Sequence, residues 1–213
     1  YDVTVEITVR QTPVVPSGPT VPGLSTGADL VAFAQAVNAG ASTSRWQNEA
    51  GEVVLLNDID LTGMTEWTPI GSGTAKGTPA YDLVAPFSGV FNGQGFAIKG
   101  IQWVFNVTDT PTHLYGLFGA IKDATIKNLV LGAEGDQITI VGSNANVIAV
   151  GALVGHAESS TISGIINNVS VVLADKNAEV PGDNPDATLM MLGGVAGTFR
   201  APMTVGSKDE PVK

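Results

Sequence analysis

Asp58 and Asp60 are the best acidic pair in this 213-residue chain. Alternate side chains of an extended segment point to opposite faces, so the two carboxylates share one side and Ile59 takes the other. Such a pair could hold a cation or serve as the acid and base of glycan hydrolysis. A lyase would add a basic residue to abstract a proton, but Arg10, Arg45 and Arg200 all lie outside the repeated words described below. The histidines, His113 and His156, lack the helical two-His pattern with an intervening Glu that a metallopeptidase needs. Both are expected at the surface or at a chain corner. Ser159 and Ser160 follow His156 closely, but no strained nucleophile elbow surrounds them. No catalytic cluster and no cofactor are therefore expected, and Asp58 and Asp60 are the only metal candidates. Aromatic rings could instead form stacking platforms for a ligand. Tyr81, Tyr115 and Trp67 are the candidates, with Tyr81 the one expected to be exposed.

These residues sit among repeats. A glycine-flanked apolar word reads Phe87 to Gly93, then Tyr115-Gly-Leu-Phe-Gly119, Val150-Gly-Ala-Leu-Val-Gly155 and Leu192-Gly-Gly-Val-Ala-Gly197. A partner word follows: Ile98-Lys-Gly-Ile101, Ile126-Lys-Asn-Leu129 and Ile166-Asn-Asn-Val169. Its third position is Gly100, Asn128 or Asn168, residue types that tolerate a positive φ and suit a sharp corner. The intervals between the leading isoleucines, 28 and 40 residues, imply loops of unequal length. Repeats of this size stack on one another and share a core.

Other elements support the repeats. Val3, Val5, Ile7 and Val9 alternate with polar residues and predict a half-buried strand over 1–10, the end of a preceding module. Pro13, Pro16, Pro19 and Pro22 match the period of a polyproline II spacer. Residues 1–22 are thus set apart from a second unit spanning 23–213. That unit opens on a helix at about 26–38. Thr26 and Asp29 form a capping box, and Leu30, Phe33, Ala34 and Val37 share a face. This helix is expected to cover the first repeat's open edge. Stretches 71–85, 136–146 and 174–186, rich in Gly, Pro, Asn and Asp, read as projecting loops where binding would concentrate.

Composition narrows the classes. With 44 % apolar residues and 26 glycines, an all-β stack with tight corners is expected. Ten basic against 20 acidic residues give a net charge of −10 with no basic patch, which excludes a nucleic-acid binder. No cysteine is present, so neither a disulfide nor a thiol site exists. No apolar stretch reaches membrane-spanning length.

The words together resemble the GLUG-motif family of bacterial surface proteins, from about Gly23 to about Gly197. Gly116-Leu-Phe-Gly119 and Gly151-Ala-Leu-Val-Gly155 carry the likeness, with Asn57 to Leu61, Trp67 to Gly71 and Phe87 to Gly95 as its lead-in. The resemblance implies a right-handed parallel β-helix, a β-solenoid of a few irregular rungs, at the surface of an exported bacterial protein. It brings no catalytic residues. The expected function is a non-enzymatic adhesion module that presents loops to a host or microbial surface glycan or protein. It would be anchored through an N-terminal region that has been removed. A glycan-active β-helix enzyme built on Asp58 and Asp60, or a passive spacer, are the alternatives.

Overall fold

The structure, a computed structural model, describes residues 21–75, 81–106, 113–141, 147–174, 189–200 and 204–206. The strand expected over 1–10, and the spacer as far as Thr20, lie outside the described residues.

Helix α1 (Gly27–Asn38) starts where the capping box predicts. The Thr26 hydroxyl accepts the Asp29 backbone N–H at 3.1 Å, and the Asp29 carboxylate accepts the Thr26 N–H at 3.0 Å. Leu30, Phe33 and Ala34 are buried, and the helix ends before Gly40 at φ 64°. A short 3-10 turn (Ser44–Trp46) follows.

Strands make up the rest. The first segment holds β1 (Glu52–Val54), β2 (Ile59–Asp60), β3 (Ser72–Ala75) and β4 (Tyr81–Ala85). The next holds β5 (Val90–Asn92), β6 (Ala97–Lys99), β7 (Gln102–Asn106), β8 (His113–Tyr115) and β9 (Phe118–Lys122). The third holds β10 (Thr125–Leu131), β11 (Gln137–Val141), β12 (Val147–Gly151) and β13 (Val154–Glu158). The fourth holds β14 (Thr161–Asn167), β15 (Ser170–Leu173), β16 (Leu189–Gly193) and β17 (Ala196–Arg200), and β18 (Thr204–Gly206) comes last.

The described fold is all-β apart from α1, and its sheets are overwhelmingly parallel. The largest runs β1-β5-β10-β14-β18, with β6 between β10 and β2. Three smaller sheets run β15-β11-β7, β16-β12-β8 and β17-β13-β9. Each of the middle segments therefore visits the same four sheets in the same order. The exception is an antiparallel hairpin, β3 with β4. Side chains alternate between exposed and buried along β7, and between half-buried and buried along β11, which places Trp103, Phe105, Ile138 and Ile140 in the core. One buried cluster extends from Leu24 to Val169 and includes Phe33 of α1. Phe33 lies edge-on to Trp46 and Phe87, at 5.4 and 5.8 Å between ring centroids. Within the described residues no helix is long and apolar enough to cross a membrane.

The register corrects three expectations. Ile126 pairs with Phe91 and Ile162 instead of Ile98 and Ile166, so the repeat steps are 35 and 36 residues, nearly regular. The apolar words on either side of a corner look alike, and four residues (93–96) separate β5 from β6 where β10 has only Asn128 and Leu129. Second, Gly100 (φ 77°), Asn128 (φ 54°) and Asn168 do not share one corner. The residue opposite Asn128 is Gly164 (φ 62°), while Asn168 follows β14 and donates to the Gly132 carbonyl at 3.1 Å. Third, the loops expected at 71–85 and 136–146 contain the β3–β4 hairpin and strand β11. Of 174–186 only residue 174 is described.

Candidate functional site

Asn38, near the end of α1, anchors the segment in front of β3. Its side-chain amide donates to the Pro69 carbonyl at 3.0 Å and accepts the Gly71 N–H at 2.8 Å. Ile70 then pairs in parallel with Phe118, through Ile70 N–H to the Leu117 carbonyl at 3.0 Å and Gly119 N–H to the Ile70 carbonyl at 2.8 Å. Ile70-Gly71, within the word from Trp67 to Gly71, thus stands in register with Phe118-Gly119 of the glycine word. The signal was present in the matching Ile70-Gly71 and Phe118-Gly119 pairs.

This pairing brings Trp67 beside the corner between β8 and β9. The indole N–H of Trp67 donates to the Gly116 and Leu117 carbonyls at 3.1 and 3.2 Å, and its ring stacks on Trp103 at 5.1 Å. Trp103 is fully buried, and its own indole N–H has no hydrogen-bond partner. Tyr115 stacks on Phe105 at 4.3 Å, and burial pushes its hydroxyl up to about 12. A cleft of about 460 Å³ opens above these rings. Its floor is Trp67, Phe105 and Tyr115; Gln35, Glu66 and Asn106 stand exposed on its rim. The structure therefore brings together two of the three expected binding aromatics. Trp67 is mainly a structural residue, with one face and its N–H already engaged. Tyr81 lies on β4, and its side chain is outside the described residues.

The polar residues expected elsewhere have structural partners. Asp58 and Asp60 flank buried Ile59 on its exposed side, as the alternation predicts. The Asp58 carboxylate accepts the Ala97 N–H at 2.9 Å and lies 3.4 Å from the Lys99 ammonium. Asp60 accepts the Thr62 N–H at 2.9 Å. The Ala97 N–H, then Lys99, hold Asp58 below the usual carboxylate range, and Thr62 does the same for Asp60. Both thus meet backbone amides. Among the described residues no group of three His, Asp or Glu could hold a metal ion.

His156 is a correction: it is buried at mid-strand in β13, with Nδ1 2.8 Å from the Thr198 hydroxyl. Four consecutive residues of β13, from Val154 to Ala157, are buried between the neighbouring strands β9 and β17. Ser160 is buried too, donating to the Glu158 carbonyl at 2.7 Å and accepting the Ala124 N–H at 3.2 Å. His113 lies on β8.

Chemically, the cleft can offer apolar aromatic surface to a ligand and hydrogen bonds from an amide-rich rim. Among the described residues Glu66 is the one carboxylate lining it, whereas glycoside hydrolysis ordinarily takes a facing pair.

No protein family matches the chain. No solved structure matches it. The chain is 26 % identical over 146 residues to Halomucin of Haloquadratum walsbyi, a stretch covering 65 % of this chain. That stretch is 1 % of Halomucin, so the chain spans a very small part of that relative's length.

Proposed function

We propose that this chain is a non-enzymatic cell-surface interaction module of the adhesin kind, built on a right-handed parallel β-helix of the GLUG type. Helix α1 caps the first rung, and the aromatic-floored cleft contacts a glycan or protein of another surface. The observation that carries the proposal is the convergence of Trp67 and Tyr115 under a polar rim of Gln35, Glu66 and Asn106. Clefts with an apolar floor and a few polar groups are the usual ligand sites of proteins. The β-helix is supported by three segments that pass through the same parallel sheets in the same order. Similarity to Halomucin supports a surface or extracellular location for this chain. A rigid stack with contacts along its flank suits such a role.

The test is a glycan and surface-protein array probed with the purified chain, with and without Ca²⁺, followed by a reducing-end assay on every bound glycan. Binding without turnover, weakened by Gln35→Ala and Glu66→Ala, is the expected result. Turnover would replace this reading with a glycan-active enzyme and make Asp58 and Asp60 the first residues to change. Absence of any binding would leave the passive spacer.

A further inference from the structure

A second cleft, of about 600 Å³, is of a different kind: it is lined by side-chain amides and, among the described residues, by no charged one. It follows the corner of the largest sheet, where β5 gives way to β6 and where β10 and β14 turn at Asn128 and Gly164. Here the repeats align polar groups in a column across the strands. Asn92 donates to the Glu52 carboxylate at 2.9 Å, and Asn128 donates to the Asn92 side-chain oxygen at 3.3 Å. Lys127 neutralises Glu52 at 2.6 Å, so the column's own charge is compensated.

The column stops at Gly164. A Cβ there would lie 2.8 Å from the Asn128 amide oxygen, so only a glycine leaves room for that side chain beside β14. Gln94 stands at the same corner, exposed, with φ 54°. A left-handed conformation is costly for glutamine, and its side-chain amide has no partner among the described residues. A strained residue that presents an unused amide to a cleft is a mark of a site. Val130 and the 37 %-exposed Ile166 add apolar surface beside these amides.

We propose that this cleft binds a neutral glycan. Asn48 and Asn92 are engaged within the corner, so the Gln94 amide supplies the donor and the acceptor that a sugar hydroxyl pairs with, and the apolar patch fits the carbon-hydrogen face of a sugar ring. A charged ligand would meet only Glu52 and Lys127, which already neutralise each other, in a protein that carries −10 overall. A peptide added as an extra strand is disfavoured because β5 and β10 are paired on both sides and offer no free backbone edge. The site is separate from the aromatic cleft and shares no lining residue with it.

The experiment is ¹⁵N NMR titration of the full chain with a panel of neutral cello-, xylo-, manno- and chito-oligosaccharides, with a neutral oligopeptide as control. The side-chain amide signals of Gln94 and Asn128 are expected to shift with at least one sugar. Gln94→Gly relieves the backbone strain, so it should leave the melting temperature unchanged or raised while weakening that sugar about tenfold, the worth of one good hydrogen bond. Glu66→Ala, in the other cleft, should leave these shifts intact. The proposal is overturned if no sugar moves the Gln94 and Asn128 amides, if only the peptide does, or if Gln94→Gly binds as tightly as the parent.

Discussion

His156 shows how one residue's environment sets a response that its type alone does not. Burial holds its imidazole below the usual histidine range, with Glu158 opposing and Arg200 assisting. The unfolded chain therefore binds the proton more readily than the fold does. Its stabilising contribution is complete above about pH 6.5 and is lost as pH falls toward the lowered folded value. Glu158, held down chiefly by Lys122 at 2.9 Å, and Glu52, held down chiefly by Asn92 and then Lys127, act in a lower window. Their contribution is present above about pH 4.5 and disappears below it. Melting temperature against pH should thus fall in two steps. His156→Gln should remove the upper step, which begins below about pH 6.5, and leave the lower one. A single step confined to the carboxylate window, below about pH 4.5, in the parent protein would contradict the burial argument.

At the scale of elements, glycine acts by two distinct means, and substitution separates them. Gly155 on β13 lies against its neighbour's backbone: an added Cβ would be 2.8 Å from the Tyr115 nitrogen and 2.9 Å from the Gly119 oxygen. Neither atom can move without disturbing the β8–β9 corner. Gly155→Ala should cost about 3 kcal/mol through overpacking. Gly95 has φ 85° and open space around its missing side chain. Gly95→Ala should cost only about 1–2 kcal/mol, the price of the left-handed conformation. Urea midpoints of the two variants decide this, and equal losses would refute it. The glycine words of the sequence were therefore readable as close strand contacts, but only the register distinguishes crowded glycines from merely left-handed ones.

For the molecule as a whole, the core is continuous from Leu24 and α1 to Val169, so the helix is not an independent appendage. Phe33 ties the helix to that core, packing against Trp46, Phe87 and Phe91. Phe33→Ala should destabilise the fold by about 3–5 kcal/mol. The described strands should be lost in the same transition, with helical circular dichroism and fluorescence of Trp46, Trp67 and Trp103 changing together. Helix loss at lower temperature than the fluorescence change would show that α1 docks on an independently stable stack.

Local chemistry was legible in the sequence. The Thr26–Asp29 capping box and the spacing of Leu30, Phe33 and Ala34 set helix α1, because both act within a few residues. The strand alternation that buries Ile138 and Ile140, and the glycines of the words at Gly116 and Gly151, are equally local. Register was decided by the tertiary structure. Apolar words on both sides of a corner are interchangeable to the eye, and the choice of Phe91 over Ile98 as partner of Ile126 sums hydrogen bonds and packing across several strands. The same distant pairing, of Ile70 with Phe118, moved Trp67 beside Tyr115. His156 is buried where β13 lies between β9 and β17, opposite Ala120 and Thr198.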